Sequence, residues 1–291
     1  MKIIGKSNVV EFIRNKNENP NKVQLMWLGQ AGFLIKFNKQ LLIIDPYLSD
    51  FLAKKYQNHI FPHIRLMESP ILPNQIYNLD YFLSSHAHSD HMDPETIGPI
   101  VVNNPNCNFI VPSAVVKEAI TRGMKKDMII AINAHQRVQL DDSISISAVP
   151  AAHESLKTNE MGEHYFLGYI FHFSDFNIYH SGDCIPYETL EQYLKKYDLH
   201  MALLPINGRD EYRLTHKIAG NFHVDEVLNL CSRLKIRTLM VHHFGMFAYN
   251  TVSDEVLSKL SNSSSDSLEI IIPQINTIYQ PDIETLKEKN Y

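Results

Sequence analysis

The chain has 291 residues, 44% hydrophobic and 20% charged, with a formal net charge of −5 at pH 7. That suits one globular domain, residues 1–291, with a sizeable core. The basic residues are scattered without a nucleic-acid footprint, no apolar run reaches the length of a membrane span, and MKIIGKSNVVEFIRNKNENP lacks the apolar run of a secretory signal. Cys107, Cys184 and Cys231 have no CxxC spacing, so reduced thiols in a cytoplasmic protein are expected.

Residues 1–22 are polar and Asn/Lys-rich and read as an N-terminal extension with a short helix and then a loop. Val23–Leu28, Phe33–Phe37 and Leu41–Ile44 read as an antiparallel meander, with Gly29-Gln30-Ala31-Gly32 and Asn38-Lys39 as turns and Asp45-Pro46 as the stop. Residues 46–78 are proline-bearing and irregular. Tyr81–Ser85 is a short strand, and Asp93-Pro94-Glu95 is a helix start with Asp as cap and Pro at the first helical position. Then follow strand Asn108–Val111, helix Ala114–Arg122 and strand Met128–Ile132. Ser143–Val149 alternates Ile and Ser, which predicts a half-buried strand. Phe166–Phe173 and Asn177–His180 form a hairpin. The remaining elements are helix 187–197, strand Met201–Pro205, helix Val224–Leu234, strand Thr238–Val241, helix Asp254–Leu260 and strands Leu268–Ile272 and Thr277–Tyr279, with Ser261–Ser267 as a surface loop. The pattern fits a two-sheet sandwich covered by helices.

The chemistry concentrates in His86-Ala87-His88-Ser89-Asp90-His91, between the strand at Tyr81 and the cap at Asp93. Given fifteen histidines, an HxHxDH run arises by chance only about twice per thousand such sequences. Imidazoles and a carboxylate on one tight loop suit Zn, Mn or Fe, and the loop can feed two adjacent ions. His153, Asp183 and His243 each stand at the carboxyl end of a strand, where loops converge, and are read as further ligands. Asp45 also ends a strand and is a candidate to hold the free N–H of a ligand histidine.

The order HxHxDH, His, Asp, His resembles the metallo-β-lactamase superfamily, which implies an α+β fold, a four-layer αββα sandwich. Trp27–Phe33, Ile44-Asp45-Pro46, His180–Asp183 and Pro205–Asp210 resemble its L-ascorbate-6-phosphate lactonase-like branch, related to the N-acyl-phosphatidylethanolamine phospholipase D enzymes. Position by position, the resemblance gives His86, His88 and His153 to one metal, Asp90, His91 and His243 to a second, and Asp183 to both. His242 adjoins His243, and adjacent strand residues face opposite ways; the run His243-Phe244-Gly245-Met246-Phe247 resembles the family's ending and selects His243. Cys184, where Ser or Thr is expected, should point away from the site.

Two divalent ions, Mn or Zn foremost, lower the pKa of a shared water toward about 7. The hydroxide attacks a carbonyl or phosphorus centre, and Asp90 holds the water and passes a proton to the leaving oxygen. The expected activity is a lactonase or ester hydrolase acting on a small anionic, phosphorylated substrate. Asn207 and Arg209 are the substrate-binding candidates, the guanidinium as a phosphate fork. Arg213, His216, Asn221 and His164, on the 154–164 loop, are weaker ones. The alternatives are a metal-dependent phosphodiesterase and, of another class, an inactive metal-bound sensor or assembly subunit. A di-iron oxidoreductase is disfavoured by the lack of a flavin module. The partner is a small molecule, with no nucleic acid or membrane expected and homo-oligomerisation left open.

Overall fold

A computed structural model describes residues 1–15 and 21–281. In chain order its elements are β1 (Lys2–Lys6), α1 (Val9–Arg14), β2 (Gln24–Gly29), β3 (Gly32–Phe37), β4 (Gln40–Ile44), α2 (Phe51–Lys55), β5 (Tyr81–Leu83), α3 (Pro94–Asn103), β6 (Asn108–Pro112), α4 (Val116–Thr121) and β7 (Ile129–Ile132). They continue with β8 (Arg137–Gln139), β9 (Ile144–Pro150), β10 (Leu167–Phe173), β11 (Phe176–His180), α5 (Leu190–Leu194), β12 (Met201–Pro205), α6 (Glu211–Thr215), α7 (Val224–Leu234), β13 (Thr238–His242), α8 (Asp254–Ser261), β14 (Glu269–Ile271) and β15 (Thr277–Gln280). The described chain divides into two compact units. Unit 1 holds 1–131, 245–249 and 274–281, and unit 2 holds 132–244 and 250–273.

Unit 1 is built on an eight-stranded sheet of order β1-β15-β2-β3-β4-β5-β6-β7. The meander β2-β3-β4 is antiparallel, whereas β4, β5 and β6 run parallel. Strands β2, β4 and β5 therefore point the same way, and the segments after them, 30–31, 45–46 and 84–91, emerge at one end of the sheet. The inner strands β2 to β6 are near-continuous apolar runs, buried along almost their whole length, whereas the edge strands β1 and β7 are largely exposed or half-buried. One apolar cluster draws on Met26, Leu28, Leu34 and Phe82 of the sheet, Phe12 of α1 and Ile97 and Ile100 of α3. Helix α3 starts where expected: Asp93 Oδ1 accepts the Glu95 N–H at 3.0 Å.

Unit 2 is built on a seven-stranded sheet of order β14-β13-β12-β11-β10-β9-β8. It too changes from antiparallel (β8 to β11) to parallel (β11 to β14). By alternation β9 runs with β11, β12 and β13, so the loops at 151–153, 181–183, 206–210 and 243–244 all leave the sheet at one end.

Several expectations need correction. The N-terminal segment is not only a short helix and a loop: Lys2–Lys6 is a strand paired antiparallel with β15, and α1 buries Val9, Phe12 and Ile13; residues 16–20 lie outside the described residues. Lys36, buried in β3, donates to the carbonyls of Phe12 and Asn15, so a lysine adds to the apolar contacts of Phe12 and Ile13 in holding the end of α1. The irregular stretch 46–78 contains α2. The alternating strand β9 is buried at every position, because its serines meet polar partners: Arg137 Nε donates to Ser145 Oγ at 2.9 Å, and Ser147 Oγ lies 2.9 Å from His172 Nε2. Strand β8, missed in sequence, supplies that arginine. The helix expected over 187–197 is confined to Leu190–Leu194. Among the described residues no helix is long and apolar enough to cross a membrane, and the three cysteines are free and buried.

Candidate metal centre

The loop after β5 gathers four of the candidate ligands in unit 1. His86 and His91 are buried, Asp90 is half-buried and His88 is exposed. The His86 ring lies 4.1 Å from that of His91 and 4.6 Å from that of His88, centroid to centroid. His91 Nε2 is 3.7 Å from Asp90 Oδ2. Beneath them lies a buried carboxylate. Asp45 Oδ1 accepts the Ser85 N–H at 2.7 Å, and Asp45 Oδ2 accepts the Ser85 hydroxyl at 2.6 Å. The same Oδ2 lies 2.9 Å from His91 Nδ1, and Ser85 Oγ lies 2.9 Å from His86 Nδ1. A carboxylate only accepts, so His91 carries its neutral proton on Nδ1. Ser85, having given its hydroxyl proton to Asp45, likewise accepts from His86 Nδ1. Both rings then present Nε2 as a lone pair, the state a cation requires.

Asp90 has a partner that sequence reasoning passed over. Gln30 Nε2 donates to Asp90 Oδ2 at 2.9 Å, and the Gln30 carbonyl accepts the Trp27 indole N–H at 3.0 Å. Gln30 sits at φ +49° just after Gly29 at φ +92°. A Cβ at Gly29 would come within 2.8 Å of Met67 Sδ, a flexible side chain, so it is the dihedral angle that calls for glycine in this turn. In sequence this segment reads as a hairpin turn and as part of the Trp27–Phe33 motif, but neither reading gave Gln30 a role.

Unit 2 gathers the other three. His153, Asp183 and His243 are all buried. His153 Nε2 is 3.3 Å from Asp183 Oδ2 and His243 Nε2 is 3.4 Å from Asp183 Oδ1. One imidazole nitrogen against each oxygen of one carboxylate is a donor set suited to a bridging role between two cations. His243 reaches this place with φ +61°, just past the end of β13. His242, the last residue of that strand, instead stacks on His180 at 4.9 Å and 11°. The Cys184 thiol donates to the Ile185 carbonyl at 3.3 Å, and burial pushes its pKa up to about 12, so it is an inert packing group.

The expected substrate residues are engaged elsewhere. The Arg209 fork is not free: its Nη1 and Nη2 donate to Glu226 of α7 at 2.7 and 2.6 Å, and Nη1 also donates to the Asn221 carbonyl at 3.1 Å. Asn207 donates to Asn250 Oδ1 at 2.7 Å and accepts from Asn221 Nδ2 at 3.0 Å. Arg213 joins the same knot through the Asn207 carbonyl, Asn250 Oδ1 and Asp210. His216 lies against the Tyr212 carbonyl. In the 154–164 loop, His164 N and Nδ1 meet Asn133 Oδ1 at 2.9 and 3.2 Å. These residues order the loops at the ligand end of their sheet.

Comparison with known proteins gives the family and the fold. A family model described as the beta-lactamase superfamily domain matches residues 41–244. A UPF0173 metal-dependent hydrolase of Caldivirga maquilingensis is 26% identical over 185 residues, covering 63% of this chain and 70% of that protein. Among solved structures, Igni18, a metallo hydrolase from Ignicoccus hospitalis, superposes with a TM-score of 0.64 at 17% identity, over 90% of this chain and 100% of the other. The metallo-beta-lactamase fold protein YhfI of Bacillus subtilis gives a TM-score of 0.62 at 14% identity, over 89% of this chain and 100% of the other.

Proposed function

Because the chain belongs to the metallo-β-lactamase superfamily and has its fold, we propose that it is a metal-dependent hydrolase whose two ligand clusters serve a pair of divalent transition-metal ions, manganese or zinc. His86, His88 and His153 would hold one ion, Asp90, His91 and His243 the other, with Asp183 shared. The carrying observation is the prepared donor set: Asp45 and Ser85 fix Nδ1 of His91 and His86, and His153 and His243 each face one oxygen of Asp183. Relatives named metal-dependent hydrolases support the reaction class. The ions, when bound, supply water activation and stabilisation of developing negative charge.

The chain's own residues do the rest. Gln30 holds Asp90 Oδ2 in one orientation, so that carboxylate can take a proton from water and return it to the departing oxygen. In a lactone or ester, the water oxygen adds to the acyl carbon and the acyl C–O bond breaks. One proton goes to the leaving alkoxide, and the other is lost from the new carboxylic acid. A lactone or ester as substrate is supported by the motif resemblance at Trp27–Phe33 and Ile44–Pro46. A phosphate on it would have to displace Glu226 from the Arg209 fork. Elemental analysis of protein purified without chelator, with assays on a lactone panel and a generic phosphodiester, tests the proposal. Two ions per chain and lactone turnover are expected; no bound metal and no activity on adding Mn or Zn would sink it, and turnover of the phosphodiester alone would move the bond class.

A further inference from the structure

Two of the ligand-bearing loops of unit 2 are joined by a tie that lies outside the metal centre. Carbonyls of alternate residues along a strand face the same neighbour, so those of Ala148, Pro150 and Ala152 share the edge of β9 that β8 covers only in part. The segment leading into β8 meets the first, the His135 N–H donating to the Ala148 carbonyl at 2.8 Å. The segment 185–187 meets the other two. The Ile185 N–H donates to the Ala152 carbonyl at 2.7 Å, and the Tyr187 hydroxyl donates to the carbonyl of Pro150. Pro150 is buried, so its carbonyl has the tyrosine in place of solvent. Ala152 precedes His153, and Ile185 follows Asp183 by two residues. The tie therefore sets the spacing of two chain segments whose side chains meet at 3.3 Å, His153 Nε2 to Asp183 Oδ2. Burial raises the Tyr187 pKa above its ordinary value, which keeps the phenol a donor. Its ring, half-buried, lines a cleft with Leu190, Phe222 and Leu230.

We propose that Tyr187 is a positioning residue for the metal ligands: through the Pro150 carbonyl its hydroxyl fixes the strand end that bears His153 against the loop that bears Asp183. A side-chain hydroxyl does here what a strand N–H does at Ala148 and Ala152. Without it a buried carbonyl loses its donor, and the segment must shift or admit water to satisfy it. Either response moves the His153 ring relative to Asp183. The effect falls first on the ion given to His153, because the Asp45–His91 hydrogen bond that prepares the other site lies in unit 1 and is not touched. Tyr187 and Asp45 thus support different ions. This inference rests on the two-ion reading for its metal measurement, but not for its exchange measurement.

Tyr187→Phe keeps the ring and deletes the hydroxyl. Ser147→Ala, which removes the Ser147–His172 contact at 2.9 Å from the same strand, is the control for a loss of stability alone. Affinity for Zn or Mn is measured by competition with a chromophoric chelator, and hydrogen exchange of the Ile185 amide is followed in metal-free protein. Tyr187→Phe is expected to weaken the ion given to His86, His88 and His153 about tenfold, and the other ion less. It should also speed exchange of the Ile185 amide by about tenfold or more, and its turnover should return toward the parent's as metal is raised. Ser147→Ala is expected to change neither affinity nor Ile185 exchange. Faster Ile185 exchange in Tyr187→Phe, in a protein that binds no metal, would uphold the tie and sink the metal reading. In a protein that binds metal, affinities unchanged in Tyr187→Phe, or lowered equally in Ser147→Ala, would overturn the inference and leave the hydrolase proposal intact.

Discussion

Replacing Asp45 by asparagine isolates the support of the metal ligands from the ligands themselves. Asp45 Oδ1 faces a fixed donor, the Ser85 N–H at 2.7 Å, and Oδ2 faces another, His91 Nδ1 at 2.9 Å. An amide has one oxygen and one NH2 group, so either orientation turns a donor toward a donor. The backbone N–H cannot yield; the imidazole can, by moving its proton to Nε2. That removes the lone pair needed for a cation and forfeits a charge-assisted hydrogen bond worth about 1.5–3 kcal/mol. At 1.4 kcal/mol per tenfold, metal affinity at the His91 site should fall roughly ten- to a hundredfold, within the range known for such supporting carboxylates. The assay is competition of Zn or Mn with a chromophoric chelator, on variant and parent proteins with matching circular dichroism. The ion affected least should be the one given to His86, His88 and His153. An Asp45→Asn protein with both affinities unchanged would refute the reasoning, since the Asp45–His91 contact would then do nothing for the metal.

Three further outcomes are expected. His243→Ala should strip one ion and abolish turnover, whereas His242→Ala should leave metal content intact and lower only the melting temperature, since His242 packs on His180; the reverse pattern would exchange their roles. Arg209→Ala should cost about 1–2 kcal/mol of stability, the two side chains being about a quarter exposed, and lower kcat/KM equally on matched anionic and neutral substrates; a loss confined to the anionic substrate would restore the phosphate fork. Stability should fall above about pH 9. The buried thiols of Cys107, Cys184 and Cys231 are raised from 9.0 to about 12, so above pH 9 the unfolded chain sheds protons that the folded one keeps, at about 1.4 kcal/mol per thiol per pH unit. Lys36, lowered by burial from 10.5 to about 8, acts oppositely between pH 8 and 10.5, but as one group against three. Denaturant titrations at pH 8, 9 and 10 check the sign, and Cys231→Ala should reduce the slope; a flat profile would refute it.

How much of this was legible in the sequence depends on how local each feature is. The His86–His91 run is contiguous and bounded by a strand and a capped helix, so its residue types alone carry it. His153, Asp183 and His243 are legible only through strand periodicity: β9, β11 and β13 had to be found before their ends meant anything, and their common direction, by alternation through β10 and by the parallel pairing of β11, β12 and β13, brings their ends to one edge of the sheet. What stayed hidden depends on pairing across long separations. Gln30 meets Asp90 sixty residues away, and nothing in a Gly-Gln-Ala-Gly turn announces an acid at its far end. Lys2–Lys6 is a strand only because β15, near the other end of the described chain, lies beside it; its own residues are mostly exposed and carry no period. Arg209 was correctly placed on a loop at the ligand end, yet its partner sits on the next helix, and a guanidinium that looks available in sequence is spent once Glu226 arrives. Tyr47, His63 and Tyr249 are likewise unremarkable singly, and only the return of 245–249 to the segment after β4 packs them into one cluster. Ligand chemistry is thus written in short runs, whereas the orientation of ligands and the recognition of substrate are properties of contacts that no run contains.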